Sequence, residues 1–157
     1  MTDTQQGAAV RIPPPLVYAT AIFAAVMLHA FAWPLSLGLD MAARAVGGAA
    51  LFLPGLLLLG AASSLFRRTG QDPKPWRETP VIVSNGIYRW SRNPMYVGMA
   101  LLQAGVGVGL SNGWILVLIP LVLVAVYATA VRHEEAYLEQ KFGNTYRDYK
   151  QSVRRWI

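Results

Sequence analysis

Residues 95–131 read MYVGMALLQAGVGVGLSNGWILVLIPLVLVAVYATAV, a run without one formal charge. As a single helix it would be about 55 Å long at roughly 1.5 Å per residue, nearly twice the roughly 30 Å of hydrocarbon in a bilayer. The run therefore has to fold back on itself. Ser111-Asn112-Gly113 lies at its middle and has turn chemistry, because Asn and Gly accept left-handed backbone and Ser and Asn side chains bond nearby main chain. The spacing predicts a tight helical hairpin of two short spans, residues 95–110 and 114–131.

Working upstream, Leu16 to Leu39 and Ala45 to Phe66 are also free of formal charge. Each is long enough for the roughly 20 residues that a spanning helix needs. These give spans at residues 16–38 and 45–66, and the expectation is an all-α, polytopic membrane protein with four transmembrane helices. Residues 1–157 then form a single membrane-embedded domain ending in a helix outside the bilayer. Composition agrees: 54% of residues are hydrophobic and 14% charged, against about 25% charged in an ordinary soluble domain. Pro34, Pro54 and Pro120 fall within spans and are expected to kink them. Leu16–Leu28 followed by Ala30-Phe31-Ala32 has the form of a cleavable leader. A lone basic Arg11, Pro13-Pro14-Pro15 and an apolar run continuing past the cut favour a span instead.

The net charge of +6 comes from 14 Lys and Arg against eight Asp and Glu. On a soluble chain this would suggest nucleic acid. Here the basic residues cluster from Arg67 to Arg92 and from Arg132 to Arg155, beside apolar spans, which fits anionic headgroups and no nucleic acid. Lys and Arg near span ends favour the cytoplasmic side, so both clusters and both termini are expected there. The other side is nearly bare, and any chemistry belongs at the cytoplasmic interface. Short loops suggest a prokaryotic inner-membrane protein.

The chain has no cysteine, which removes thiolate chemistry and disulfides. His29 and His133 lack the carboxylate or histidine spacing of a metal site, so no metal is expected. No phosphate loop, GxGxxG fingerprint or nucleophile elbow is present. Gly105 and Gly109 make a small-xxx-small pair, expected to pack inside the hairpin.

Two polar segments flank the hairpin. Before it, Asn85-Gly86 makes a turn and Pro94 suits the first turn of a helix, placing Arg92 and Asn93 at that helix's positive end. With Arg89 and Arg92, this end would draw a carboxylate to the membrane surface, although interfacial aromatics and snorkelling arginines serve equally as anchors. After the hairpin, Arg132-His133-Glu134-Glu135 continues as a helix, with carboxylates within a turn of the hydrocarbon, where they need a named partner. A cationic ligand or Arg132 would serve.

Together these segments are more specific. Gly86-Ile87-Tyr88-Arg89-Trp90-Ser91-Arg92-Asn93-Pro94-Met95-Tyr96-Val97-Gly98, a charge-free hairpin, then Arg132-x-Glu134-Glu135-x-x-Leu138-x-x-x-Phe142-Gly143-x-x-Tyr146-x-x-Tyr149 resembles the isoprenylcysteine carboxyl methyltransferase family and its phospholipid methyltransferase relatives. The resemblance covers residues 78–155, and Asn93 stands where that family usually carries histidine. It implies a membrane enzyme that moves a methyl group from S-adenosylmethionine to a lipophilic small-molecule or lipidated acceptor. Carried over by position, it implies a cofactor site of Pro80, Val81, Ile82, Val83, Tyr88, Asn93, Pro94 and Glu134. Arg132 and Glu135 are the residues expected to orient the acceptor. Membrane sterol and enone reductases, which use a nicotinamide cofactor, are similar in this half of the chain, and a small non-enzymatic membrane subunit is a third reading.

Overall fold

The computed structural model describes residues 7–70, 72, 74 and 77–157. It is built from helices α1 (Pro14–Met27), α2 (Met41–Arg68), α3 (Pro94–Gly109), α4 (Gly113–Val117), α5 (Ile119–Val126), α6 (Arg132–Phe142) and α7 (Asn144–Ser152). A wider π-helical turn, Leu28–Ala32, extends α1, and a second one, Tyr127–Val131, joins α5 to α6. Among the described residues the extended pairings are isolated bridges, Ser36 with Asn112 and Ser91 with Arg154. Pro14–Ala32, Met41–Arg68 and Gly113–Phe142 are long and apolar enough to cross a membrane, while Pro94–Gly109 is a shorter apolar helix.

The charge-free run does fold back, and the turn lies where its side chains place it. Ser111 takes left-handed backbone at φ 52°. That conformation is unfavourable for a residue with a Cβ by about 1–2 kcal/mol. The Ser111 hydroxyl offsets this by accepting from Leu37 N–H at 3.2 Å and meeting the Ser36 hydroxyl at 3.3 Å. Asn112 caps α4 by accepting from Trp114 N–H at 3.0 Å and donates to the Ala25 carbonyl of α1 at 3.3 Å. Asp40 caps α2 by accepting from Ala43 N–H at 2.8 Å.

The three prolines sit in three different settings. Pro54 sits inside an unbroken α2, Pro34 follows the π turn, and Pro120 marks the break between α4 and α5. A proline is tolerated in the first turn of a helix, where its missing N–H has no partner to lose.

The glycine pair Gly105 and Gly109 does not pack inside the hairpin. A Cβ on Gly105 would stand 2.7 Å from Phe52 N and 2.8 Å from the Gly48 carbonyl, both on α2. One on Gly55 would meet the Gly98 carbonyl at 2.8 Å, so the seam runs along α2 and α3 through Gly48–Gly105 and Gly55–Gly98. A small-xxx-small pattern allows close approach without naming the partner. Within the hairpin it is Gly107 that touches Ile115 and Leu116. With little water to drive helices together inside a bilayer, this close backbone contact supplies dispersion energy in its place.

Candidate functional site

The far end of the bundle from the Ser111 turn is built differently. There the end of α2, the Gly86–Arg89 turn, the start of α3, and helices α6 and α7 surround a pocket enclosing about 840 Å³ of empty space, its open mouth included.

One wall is aromatic. Phe66 of α2 meets Tyr88 edge to face, with ring centroids 5.6 Å apart, and Val83 is buried in the same cluster. The Tyr149 hydroxyl donates to the Tyr88 carbonyl at 2.7 Å, tying α7 to the turn. Burial pushes the phenols of Tyr88 and Tyr149 well above their ordinary range. It pushes Tyr146 up to about 12, with the Glu135 charge adding to the shift and Arg92 opposing it. All three therefore remain O–H donors at neutral pH.

The opposite wall is charged. On α6, Glu134 accepts from the Tyr96 hydroxyl of α3. Glu135, with its side chain 10% exposed, accepts from Arg155 Nε at 2.9 Å and from Arg155 Nη2 at 3.1 Å. The Arg92 Nη1 lies 3.3 Å from Glu135 Oε1. Arg92 itself is only 8% exposed, and its Nε and Nη1 make no hydrogen bond. Such buried donors carry a desolvation penalty of about 1–3 kcal/mol each unless something accepts from them.

Arg155 arrives on a strap, residues 153–157, that returns from α7 to the start of α3. Arg92 N–H donates to the Arg154 carbonyl at 2.9 Å. The Arg155 carbonyl accepts from Asn93 Nδ2 at 3.0 Å and from the Ser91 hydroxyl at 3.3 Å. Its guanidinium stacks 4.8 Å from the Tyr127 ring centroid. Over the mouth, the Tyr137 hydroxyl accepts from Thr79 N–H at 3.4 Å, and Lys141 Nζ donates to Glu78 Oε1 at 2.7 Å.

Of the residues singled out in the sequence, Ile82, Val83, Tyr88, Asn93, Pro94, Glu134 and Glu135 line this pocket. Pro80 and Val81 are exposed and outside it. Arg132 also stands outside: it is exposed, and its Nε donates to His133 Nε2 at 3.2 Å. The arginines at Glu135 are Arg92 and Arg155 instead. Sequence reasoning overlooked Tyr96, Phe66 and Arg155, whose partners lie 38, 22 and 20 positions away, beyond any local pattern. The usable signal was the charge count: two carboxylates at the hydrocarbon boundary require cations nearby. His29 lies in the π turn at the Ser111 end, away from His133, and among the described residues no group of three metal-binding side chains comes together.

The sequence matches a known group of proteins. The family described as phospholipid methyltransferase matches residues 43–145. The chain is 34% identical over 95 residues to a protein-S-isoprenylcysteine O-methyltransferase of Dictyostelium discoideum, covering 60% of this chain and 39% of that protein. It is 36% identical over 73 residues to the enzyme of that name in Schizosaccharomyces pombe, covering 46% and 31%. With the Mus musculus protein of that name the identity is 34% over 92 residues, covering 59% and 32%. The matched part is thus less than two fifths of each relative's length.

Proposed function

The chain belongs to the phospholipid methyltransferase family, and from that premise we propose that it is an integral-membrane methyltransferase of the protein-S-isoprenylcysteine O-methyltransferase type. It uses S-adenosylmethionine and a lipophilic or lipidated acceptor. The observation that carries this reading is the pocket: aromatic on one wall, with idle buried donors on Arg92 and paired carboxylates on the other.

The residues fit the cofactor's two ends. The cofactor's methionine part carries a carboxylate, which the Nε and Nη1 of Arg92 can receive, and a cationic ammonium and sulfonium, for which Glu134 is a compensating charge. Phe66, Tyr88 and Val83 offer an apolar face to its nucleoside. Bound there, it supplies an electrophilic methyl group that passes to the acceptor without a covalent enzyme intermediate. The protein's share is to align the two reactants and exclude water, which for well-oriented reactants is the source of about 7–11 kcal/mol of barrier lowering. Tyr96 orients Glu134 through its hydrogen bond, and Asn93, held to the strap, fixes the start of α3 beneath Arg92. Glu135 helps to hold Arg92 in place.

In this reading the whole of residues 1–157 is one membrane-embedded domain with four spans, α3 and the α4–α5 arm being the last two. The pocket end and both termini face the cytoplasm, so the water-soluble cofactor arrives from the basic side and the acceptor from the bilayer. Lysines and arginines at the pocket end support that orientation.

Calorimetry with S-adenosylhomocysteine on detergent-solubilised protein tests the assignment: measurable heat is expected, and no binding overturns it. Glu134→Gln should remain folded while affinity falls about tenfold or more, roughly 1.4 kcal/mol upwards. Glu139→Gln, whose carboxylate is taken by Arg147 and Lys150 on the outer surface, should change little.

A further inference from the structure

Glu135 stands between two guanidinium groups and treats them unequally. Arg155 approaches in the fork geometry, using Nε and Nη2 on the two carboxylate oxygens at 2.9 and 3.1 Å. Arg92 lies near the same carboxylate at 3.3 Å, yet its Nε and Nη1 remain without a hydrogen bond. With Glu134 beside Glu135, two carboxylates stand against two guanidiniums, so the asymmetry lies in the hydrogen bonds and not in the net charge. The unbonded N–H groups belong to Arg92, which is 8% exposed, and not to Arg155, which is 35% exposed and meets water.

We propose that Arg155 is a positioning residue: by occupying Glu135, it keeps the donors of Arg92 free to bind a carboxylate in the pocket. This rests on the methyltransferase reading in one respect, that the carboxylate is the amino-acid end of the cofactor. Without Arg155, the nearest acceptor for the idle Arg92 donors is Glu135 itself. The ion pair at 3.3 Å would tighten into a hydrogen-bonded one and take up the donors that the ligand needs. The strap is built to prevent this. The Arg155 carbonyl is held by Ser91 and Asn93, its guanidinium rests on Tyr127, and Trp156 packs against the core cluster of Tyr18, Tyr96 and Val126. Arg155 also lies outside residues 43–145, the part that matches the family.

The experiment compares two probes on detergent-solubilised full-length protein: S-adenosylhomocysteine, which carries the carboxylate, and 5′-methylthioadenosine, which has the nucleoside thioether without the amino-acid end. Arg155→Gln should lower affinity for the first about tenfold or more and for the second less than about twofold, with melting temperature near that of the parent. Arg155→Lys, which can still neutralise Glu135, should recover most of the loss. In a Glu135→Gln background, where no carboxylate can capture Arg92, Arg155→Gln should change S-adenosylhomocysteine affinity less than about threefold. Equal losses for both probes, or the same loss in both backgrounds, would make Arg155 a general structural residue and overturn the proposal. If Arg155→Gln does not fold, the two-probe comparison on Arg155→Met, which keeps the apolar stem and removes the cation, decides by the same criterion. A parent that binds neither probe sinks the methyltransferase reading and this role with it. A parent that binds S-adenosylhomocysteine as tightly as Arg155→Gln does sinks the role of Arg155 alone.

Discussion

The two ends of the helical bundle handle polar residues in opposite ways. At the Ser111 end, Ser36, Ser111 and Asn112 satisfy one another and the nearby main chain, the Arg44 Nε donates to the Gly109 carbonyl at 3.0 Å, and His29 Nδ1 is a buried polar atom left without a partner. At the Arg92 end, buried donors outnumber their acceptors, and the surrounding tyrosines and glutamates enclose a space in place of a turn. The first end uses its side-chain bonds to hold a hairpin shut, and in the proposed reading the second keeps the Arg92 donors available for a ligand.

The sharpest way to break this contrast is Arg92→Gln. If the idle donors serve a ligand, S-adenosylhomocysteine affinity should drop about 10- to 100-fold, the equivalent of roughly 1.5–3 kcal/mol for a charge-assisted contact. An unchanged affinity by calorimetry would reduce Arg92 to an interfacial anchor. Next in size is Gly105→Ala on the seam between the ends. Its new Cβ would fall 2.7 Å from Phe52 N, and overpacking of this kind typically destabilises by about 1–3 kcal/mol. The melting temperature in detergent should fall, while affinity of the folded fraction should stay near the parent value. A Gly109→Ala control, whose Cβ meets nothing within 4 Å, should melt like the parent.

At the closed end, Asn112→Ala removes the cap on α4 and should lower stability by about 1 kcal/mol with no effect on ligand binding. A ligand effect there would mean the two ends are coupled. High pH sharpens the comparison from the other side. Tyr146 is pushed up to about 12 against an ordinary value of 10. The neutral form is the one that suits the fold, so the Tyr146 contribution is intact below about pH 10 and lost as pH rises towards 12. Alkaline melting curves should therefore be shallower for Tyr146→Phe than for the parent. The smallest effect belongs to Asn93→His: histidine can still donate to the Arg155 carbonyl, so affinity should change less than about threefold, whereas Asn93→Ala loses that bond and about 1 kcal/mol.

Much of the fold was legible because bilayer thickness is a hard ruler. A charge-free run too long for one crossing must turn, and Ser111-Asn112-Gly113 is where its side chains allow it. The helix start at Pro94 was legible for an equally local reason. Three features resisted. The glycine seam was assigned to the wrong neighbour, since small residues specify closeness and not identity. The two π turns were not foreseen, and Tyr127–Val131 carries no proline or glycine to announce it. Arg132 was chosen for its place beside Glu134 and Glu135, yet at the top of α6 it faces outward to His133. The arginine that grips Glu135 comes from the strap, and only the tertiary fold brings it there.

The π turn at Tyr127–Val131 works as a phase shifter in the helix. Each additional residue in a helical turn advances the side chains that follow by roughly 100° around the axis. Upstream of it, the α5 side chains that pack inward are Val122 and Val126; downstream, the inward positions have passed to Glu135 and its neighbours. The chain can thus carry an uninterrupted greasy rhythm through the bilayer and then swing a different set of letters, the charged ones, towards the same interior. Wound as ordinary α-helix, the same residues would leave the composition of both helices intact but swing the carboxylates by about 100° away from that interior, so the width of a single turn sets the aim of the site.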